Sequence, residues 1–409
     1  MSESINLAKH QSKLSLTVPL TSSKSESNRA LLIKKLGGDL AQLDNLSTAR
    51  DTVTMERLLS SSDETLDVLD AGTVMRFMTA YLATGSEKKI ITGTPRMCLR
   101  PIKILVEALN QLGAQITYLG EEGFPPLEFQ PFAKQKTASL TIPGNISSQY
   151  ISALLMIAPT LPDGLTITLE GEIYSRPYIE MTLNLMKRFG VEGQFEGQTI
   201  TVKNQPYQSN SYTIESDWSG ASYWYSMVAL ASDAEVTLTG LREQSNQGDS
   251  AIAQIMEGIG VKSEFKDNAV LLTKCDQKDH LVIDFKSCPD LAQTVFVCAA
   301  IKGVSLEMTG LESLRIKETD RTAAMATELH KLGAKLEETK PGTWILTPAP
   351  AGYSITEPLA FDTYDDHRMA MALAPVCMYH DVIIHEPDVV VKSYPEYWDH
   401  LKLAGIKIS

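Results

Sequence analysis

A chain of 409 residues, 43% of them hydrophobic and 21% charged, holds enough apolar material for two or three cores and is not a disordered or fibrous protein. Its formal net charge of −13 argues against nucleic acid or an anionic membrane as partner, because both are held mainly through phosphates by a basic surface. Residues 1–13 carry no apolar signal core, no stretch approaches the roughly 18 apolar residues that span a bilayer, and the five cysteines show neither CxxC nor Cys/His spacing, so a reducing cytoplasm without disulfides or a metal site is expected.

Taken in chain order, the predicted elements form a repeat. A divergent copy spans 16–60, with a helix over 27–36, and an apolar helix follows over 73–84. The first clear copy runs from a strand at Ile90 through Gly93, Arg96 and Arg100 to a helix ending Leu112-Gly113-Ala114. A helix over 151–158 precedes the second copy, which passes from Ile167 through Gly171, Ser175 and Arg176 to Phe189-Gly190-Val191. A helix over 221–231 precedes the third, from Val236 through Gly240 and Arg242 to Ile259-Gly260-Val261. A helix over 291–301 precedes the fourth, from Leu306 through Gly310, Arg315, Lys317 and Arg321 to Leu332-Gly333-Ala334. A helix over 369–379 precedes the fifth, from Val382 through Pro387 and Lys392 to Ala404-Gly405-Ile406.

The strands rest on period-2 alternation, as in Val236-Thr237-Leu238-Thr239, and the helices on 3.6-residue apolar spacing, as in Ile104, Leu105, Ala108, Leu109 and Leu112. Each glycine after a helix suits a left-handed cap. One copy cannot cover both faces of its own sheet, so copies must stack, and six of them predict two three-copy domains.

The repeat sets Arg96, Arg176, Lys317, Arg321 and Lys392 at or just before helix starts, with Lys24 and Arg29 similarly placed around the first helix. A cation there is locally unfavourable, so its recurrence in an acidic chain points to a shared polyanionic ligand. Arg forks suit carboxylate and phosphate, and Lys supplies a compact charge or a proton. No Walker loop, Rossmann fingerprint or metal triad accompanies them, which argues against nucleotide hydrolysis and dinucleotide chemistry.

Seven motifs then match one family in order and spacing: Lys24-Ser25-Glu26-Ser27-Asn28-Arg29, Ala71-Gly72-Thr73-Val74-Met75-Arg76, Thr94-Pro95-Arg96-Met97, Ser147-Ser148-Gln149, Ser175-Arg176-Pro177-Tyr178, Arg315-Ile316-Lys317-Glu318-Thr319-Asp320-Arg321 and Asp366-His367-Arg368-Met369. With Lys392-Ser393-Tyr394-Pro395 they span nearly the whole chain, which resembles the 5-enolpyruvylshikimate-3-phosphate synthases of the enolpyruvyl transferase family. The resemblance implies an α/β (α+β) fold of two domains, each of three βαβαββ units around a pseudo-threefold axis. One would cover 22–214, and the other 1–21 with 215–409. Both substrates would occupy the cleft between them.

It also implies site residues. Lys24, Ser25, Arg29, Ser147, Ser148, Gln149, Ser175, Tyr178, Asp290, Ser313 and Lys317 resemble the shikimate 3-phosphate contacts. Lys24, Gly72, Arg96, Gln149, Arg321, Arg368 and Lys392 resemble the phosphoenolpyruvate shell, with Gly72 leaving room for that ligand. Lys24, Asp290 and Glu318 are the catalytic candidates: Glu318 for giving and later taking the C3 proton of phosphoenolpyruvate, Asp290 for accepting the hydroxyl proton, and Lys24 for proton transfer near the hydroxyl and phosphate. Neither cofactor nor metal is expected, and the family suggests a monomer. His367 reads as a support for Arg368.

Four departures stand out. Ser313 replaces an Asn, Phe77 follows Met75-Arg76 in place of Pro, Asp70 replaces an Asn, and the stretch 36–69 is short, as if the first copy had lost a strand or loop. A sister enzyme that transfers the same group to UDP-N-acetylglucosamine carries a reactive Cys where this chain has Pro95, and Cys98 lies three residues on. A non-catalytic anion-binding protein is the other alternative. Carboxylates such as Asp290 and Glu318 argue against it, because they would repel a ligand that is only to be bound.

Overall fold

Alternation of small polar and apolar residues makes Leu165–Glu170 and Ala234–Thr239 strands with one buried face each. Their surroundings recur through the computed structural model, which describes residues 4–355 and 358–409; the first three residues of the expected 1–21 segment lie outside the described residues. The chain divides into two compact units, Ser22–Ile214 and Met1–Thr21 with Glu215–Ser409.

Four sheets share one wiring. In each, a first strand lies parallel to a second, which is also antiparallel to the far strand of a following hairpin. Thus Lys89–Thr92 pairs in parallel with Thr65–Asp67 and antiparallel with Leu127–Gln130, whose other neighbour is Gln115–Tyr118. Leu165–Glu170, Ala234–Thr239 and Ser305–Thr309 sit in the same place in their sheets. In a fifth sheet Val382–His385 is parallel to Leu359–Phe361, and Ser4–Leu7 takes the antiparallel edge that a hairpin fills elsewhere.

The divergent copy differs from expectation. The strand at Leu16, Leu14–Pro19, pairs in parallel with Ala234–Thr239 and so belongs to the other unit. Among the described residues, the sheet of the divergent copy is the two-stranded pair Gln42–Asp44 and Ser211–Thr213, in parallel. Only residues 61–64 separate the helix Arg50–Ser60 from the next strand, Thr65–Asp67. That is too few for a hairpin, which accounts for the shortness of 36–69.

In four copies a largely apolar, buried helix runs between the two parallel strands: Gly72–Ala83, Ser148–Ile157, Ala292–Lys302 and His367–Leu373. Lys24–Leu36 and Trp218–Leu230 instead follow strands that pair elsewhere, Leu14–Pro19 and Ser211–Thr213. In the unit Ser22–Ile214, Lys24–Leu36, Gly72–Ala83 and Ser148–Ile157 each contact the other two. In the other unit, Trp218–Leu230, Ala292–Lys302 and His367–Leu373 do the same. This produces one core per unit, each a ring of three central helices. Outer helices such as Lys103–Leu112 are amphipathic and bury a single stripe, Leu105, Val106, Ala108, Leu109 and Leu112.

The glycines that end the outer helices, Gly113, Gly190, Gly260, Gly333 and Gly405, all have positive φ. Gly113 shows why: its φ is 117°, and a Cβ would lie 2.3 Å from the Lys134 carbonyl oxygen. Gly113→Ala is expected to lower stability by about 2 kcal/mol or more, seen as an earlier urea midpoint with an unchanged slope.

Candidate functional site

In the unit Ser22–Ile214 the predicted residues gather where the three central helices begin, at unpaired N–H groups and the positive end of the helix dipole. Lys24 opens Lys24–Leu36 behind its cap Ser23, and its Nζ lies 3.2 Å from Asp51 Oδ2. Gly72 opens Gly72–Ala83. Ser147 caps Ser148–Ile157 by accepting from the Gln149 N–H, and Gln149 Nε2 donates to Thr73 Oγ1 at 2.9 Å. Gln149 is thereby joined to the turn that begins with Gly72.

A Cβ on Gly72 would meet Arg100 Nη1 at 2.5 Å and Arg76 Nη1 at 2.8 Å, so the missing side chain admits two guanidinium groups beside a helix start. Arg96 lies on the same loop as Arg100, just before the turn Met97–Leu99. Ser175 precedes the helix Arg176–Arg188 with a left-handed φ of 52°, a strained state that in non-glycine residues clusters at functional sites.

Arg29 lies beneath this surface. Its Nε donates to Thr182 Oγ1 at 2.7 Å, Nη2 to Ser152 Oγ at 3.0 Å and Nη1 to the Ser25 carbonyl at 2.9 Å. Phe77 and Tyr178 place their rings 5.3 and 5.8 Å from the guanidinium, and burial pulls its pKa down to about 10. Arg29, expected among the shikimate 3-phosphate contacts, thus has three hydrogen bonds within the protein, one of them to the Ser25 backbone. Phe77 leaves the helix Gly72–Ala83 unbroken. Asp70 is answered by Arg50, whose Nη2 lies 2.8 Å from both carboxylate oxygens. Arg176, expected to face a common ligand, pairs with Glu180 at 2.7 Å and stacks on Phe195.

The second unit interleaves cations and carboxylates. Arg321, only 2% exposed, donates to Asp366 Oδ2 at 2.7 Å, Asp290 Oδ1 at 2.9 Å and Glu318 Oε2 at 2.9 Å. Arg368 Nη2 reaches Asp290 Oδ2 at 2.8 Å, Lys317 Nζ lies 3.6 Å from Asp290 Oδ1, and Lys392 Nζ lies 3.1 Å from Glu318 Oε1. Burial works to raise the Asp290 carboxyl, but Arg368, Lys317 and Arg321 outweigh it and hold it well below the usual carboxylate range. Burial works to lower Arg321, and Asp366, Glu318 and Asp290 hold it above its ordinary value. Desolvation pushes the Lys317 ammonium down, with Asp290 opposing. Ser313 is half-buried on the turn Glu312–Ile316. His367 is buried with Nδ1 3.6 Å from Asp366 Oδ1.

Sequence reasoning assigns no role to Asp51, Asp249 or Asp366. Asp366 carries a legible signal, because it is the N-cap of His367–Leu373 and accepts from the Arg368 N–H at 2.9 Å. Asp249 lies behind Arg368: it accepts a hydrogen bond from Ser219, whose Oγ is 3.4 Å from Arg368 Nη2. Asp51 and Asp249 meet their partners through tertiary packing, which leaves no local pattern. Among the described residues there is no group of three or more His, Cys, Asp or Glu that could hold a metal ion, and no helix long and apolar enough to cross a membrane.

Two rings of three helices, with charged and hydroxyl side chains collected at helix starts and turns, define a two-unit α/β protein. A family model described as EPSP synthase (3-phosphoshikimate 1-carboxyvinyltransferase) matches residues 33–401. A 3-phosphoshikimate 1-carboxyvinyltransferase of Bacteroides fragilis is 47% identical over 403 residues, 97% of each chain, and one of Vibrio atlanticus is 35% identical over 99% of this chain and 100% of its own. An EPSP synthase structure from Acinetobacter baumannii shares the fold with a TM-score of 0.81, covering 99% of both chains at 19% identity. The chain belongs to the EPSP synthase family.

Burial, reinforced by the charge of Asp290, pushes the Asp249 carboxyl up to about 7. Its unfolded value is near 3.9, so the folded state binds the extra proton, and the stability present below pH 4 is lost as pH rises toward 7. Asp249→Asn is expected to remove that loss, so its advantage over the parent should grow by about 2 kcal/mol or more between pH 4 and 7 and then level off. Chemical denaturation of both proteins across that range checks it.

Proposed function

We propose that the chain transfers the enolpyruvyl group of phosphoenolpyruvate to the 5-hydroxyl of shikimate 3-phosphate and releases phosphate, a step of the shikimate pathway toward chorismate and the aromatic amino acids. Family membership supports the reaction. The observation that carries it for this chain is the set Lys317, Arg321, Arg368 and Lys392 interleaved with Asp290, Glu318 and Asp366. Cations alone would serve binding, and carboxylates among them are what acid–base chemistry at carbon requires.

The 5-hydroxyl oxygen bonds to C2 of phosphoenolpyruvate while C3 gains a proton, giving a tetrahedral adduct. The C2–O bond to phosphate then breaks and C3 returns the proton. Glu318, held by Lys392 and Arg321, is assigned the C3 proton in both directions. Lys24 is assigned the relay of the hydroxyl proton to the leaving phosphate: its ammonium gives a proton to a phosphate oxygen and takes the hydroxyl proton in its place. Asp290, ionised and gripped by three cations, is a weak base, so we assign it to orienting the hydroxyl rather than to accepting its proton. Lys24, Ser25, Ser147, Ser148, Gln149, Ser175, Tyr178, Ser313 and Lys317 are assigned to shikimate 3-phosphate. Arg29 supports Ser25. Gly72, Arg96, Gln149, Arg321, Arg368 and Lys392 are assigned to phosphoenolpyruvate, where charge stabilisation and alignment supply most of the acceleration.

Transfer to UDP-N-acetylglucosamine is the weaker reading. Cys98 Sγ donates to the Gly93 carbonyl at 3.6 Å, so the thiol is engaged within its own loop, and Pro95 stands where the reactive Cys would be. A single chain carries every assigned residue, so we propose a monomer, acting in the cytoplasm.

Phosphate release measured with phosphoenolpyruvate and each acceptor tests the reading: release with shikimate 3-phosphate and none with UDP-N-acetylglucosamine is expected. Glu318→Gln should slow turnover roughly 100-fold while both KM values stay within several-fold. Near-normal turnover would remove Glu318 from the mechanism.

A further inference from the structure

Lys24 has a long, freely rotating stem, yet its ammonium is fixed by one buried carboxylate. Asp51 is 2% exposed, Lys24 14%, and Nζ lies 3.2 Å from Asp51 Oδ2. The other carboxylate oxygen, Oδ1, is buried with no hydrogen-bond partner. Asp51 is the second residue of Arg50–Ser60, a helix whose N-cap, Ala49, offers no side-chain bond. That helix packs on both Lys24–Leu36 and Gly72–Ala83.

The missing cap has a substitute. Arg50, the residue before Asp51, grips both oxygens of Asp70, which lies two residues before Gly72 and follows Leu69 in a left-handed conformation with φ 56°. An exposed ion pair of this kind adds little stability. Its effect is positional, because it ties the start of the Asp51 helix to the loop that leads into Gly72.

We propose that Asp51 is a positioning residue that holds the Lys24 ammonium, and that the Arg50–Asp70 pair fixes the helix start from which Asp51 reaches. An ammonium has three donors; one directed at Asp51 leaves two for substrate and selects one stem conformation in advance of binding. Pre-set geometry of this kind removes an ordering cost from the reacting complex. The inference rests on the assignment of Lys24 to proton transfer.

A double-mutant cycle tests it. Asp51→Asn is expected to lower kcat roughly 30-fold while moving KM for shikimate 3-phosphate by less than about threefold. In a Lys24→Met background the same change should cost less than about twofold, because the group it acts through is gone. Asp51→Glu keeps the charge and should recover most of the loss. If Asp51→Asn does not fold, Asp51→Glu and the double variant, which removes both buried charges together, carry the comparison. Asp70→Asn should lower kcat about threefold in the parent and have no effect in the Asp51→Asn protein.

An equal cost of Asp51→Asn in both backgrounds would make Asp51 a structural residue only and overturn the inference. Near-normal turnover of Lys24→Met would instead overturn the assignment of Lys24, a distinguishable result. An Asp70→Asn loss that persists in the Asp51→Asn background would overturn the role of the outer pair.

Discussion

A guanidinium withdrawn from water has to be matched by carboxylates, and the matching of Arg321 organises one half of the molecule. Its three partners come from separate segments: Asp290 ahead of Ala292–Lys302, Glu318 in the loop before its own helix, and Asp366 at the cap of His367–Leu373. Those carboxylates in turn hold Lys317, Arg368 and Lys392. Removing one member would leave a buried charge uncompensated, which costs far more than the pair contributes. The same arrangement leaves Lys317, Arg321, Arg368 and Lys392 each paired with a carboxylate, so on the proposed reading a ligand phosphate or carboxylate exchanges with a partner already in place.

The two units apply one scaffold to different ends. In both, many candidate residues lie at helix starts, where N–H groups are left over and the dipole points outward: Lys24, Gly72 and Gln149 at central helices of one unit, Asp290 and Arg368 at central helices of the other, and Ser175 and Arg321 at outer helices. The unit Ser22–Ile214 dresses those starts with hydroxyls, an amide and guanidinium groups, while the other unit dresses them with acid–base pairs. The strained backbone at Ser175, at Tyr364-Asp365 before Asp366 and at Leu69 before Gly72 shows that the loops feeding the helix starts are held against their own preferences.

Most of this was legible in the residues. Apolar periodicity and the recurring helix-terminal glycines located the copies, and the ordered motifs named the loops. The misassignment at Leu16 has a physical cause: alternation reveals that a strand exists and says nothing about its neighbour, and this strand pairs with one more than two hundred positions away. Charge was legible as type and position, not as partnership. Arg176 and Arg29 look alike in sequence, yet one meets Glu180 at the surface and the other is buried among Thr182, Ser152 and the Ser25 carbonyl. Asp51 was silent for the same reason.

The strand pairing also sets an order of events during synthesis. Ser22–Ile214 is continuous and contains every strand of its own sheets, so it can close as soon as it leaves the ribosome. Leu14–Pro19 emerges earlier but waits for Ala234–Thr239, and Ser4–Leu7 waits for Val382–His385. Two short apolar edges therefore remain open while a complete unit folds beside them, and the last sheet to form is the one that joins the two ends of the chain. Non-local closure of this kind is slow and exposes strand edges meanwhile, so the N-terminal strands stay unpaired for longer than any strand of Ser22–Ile214.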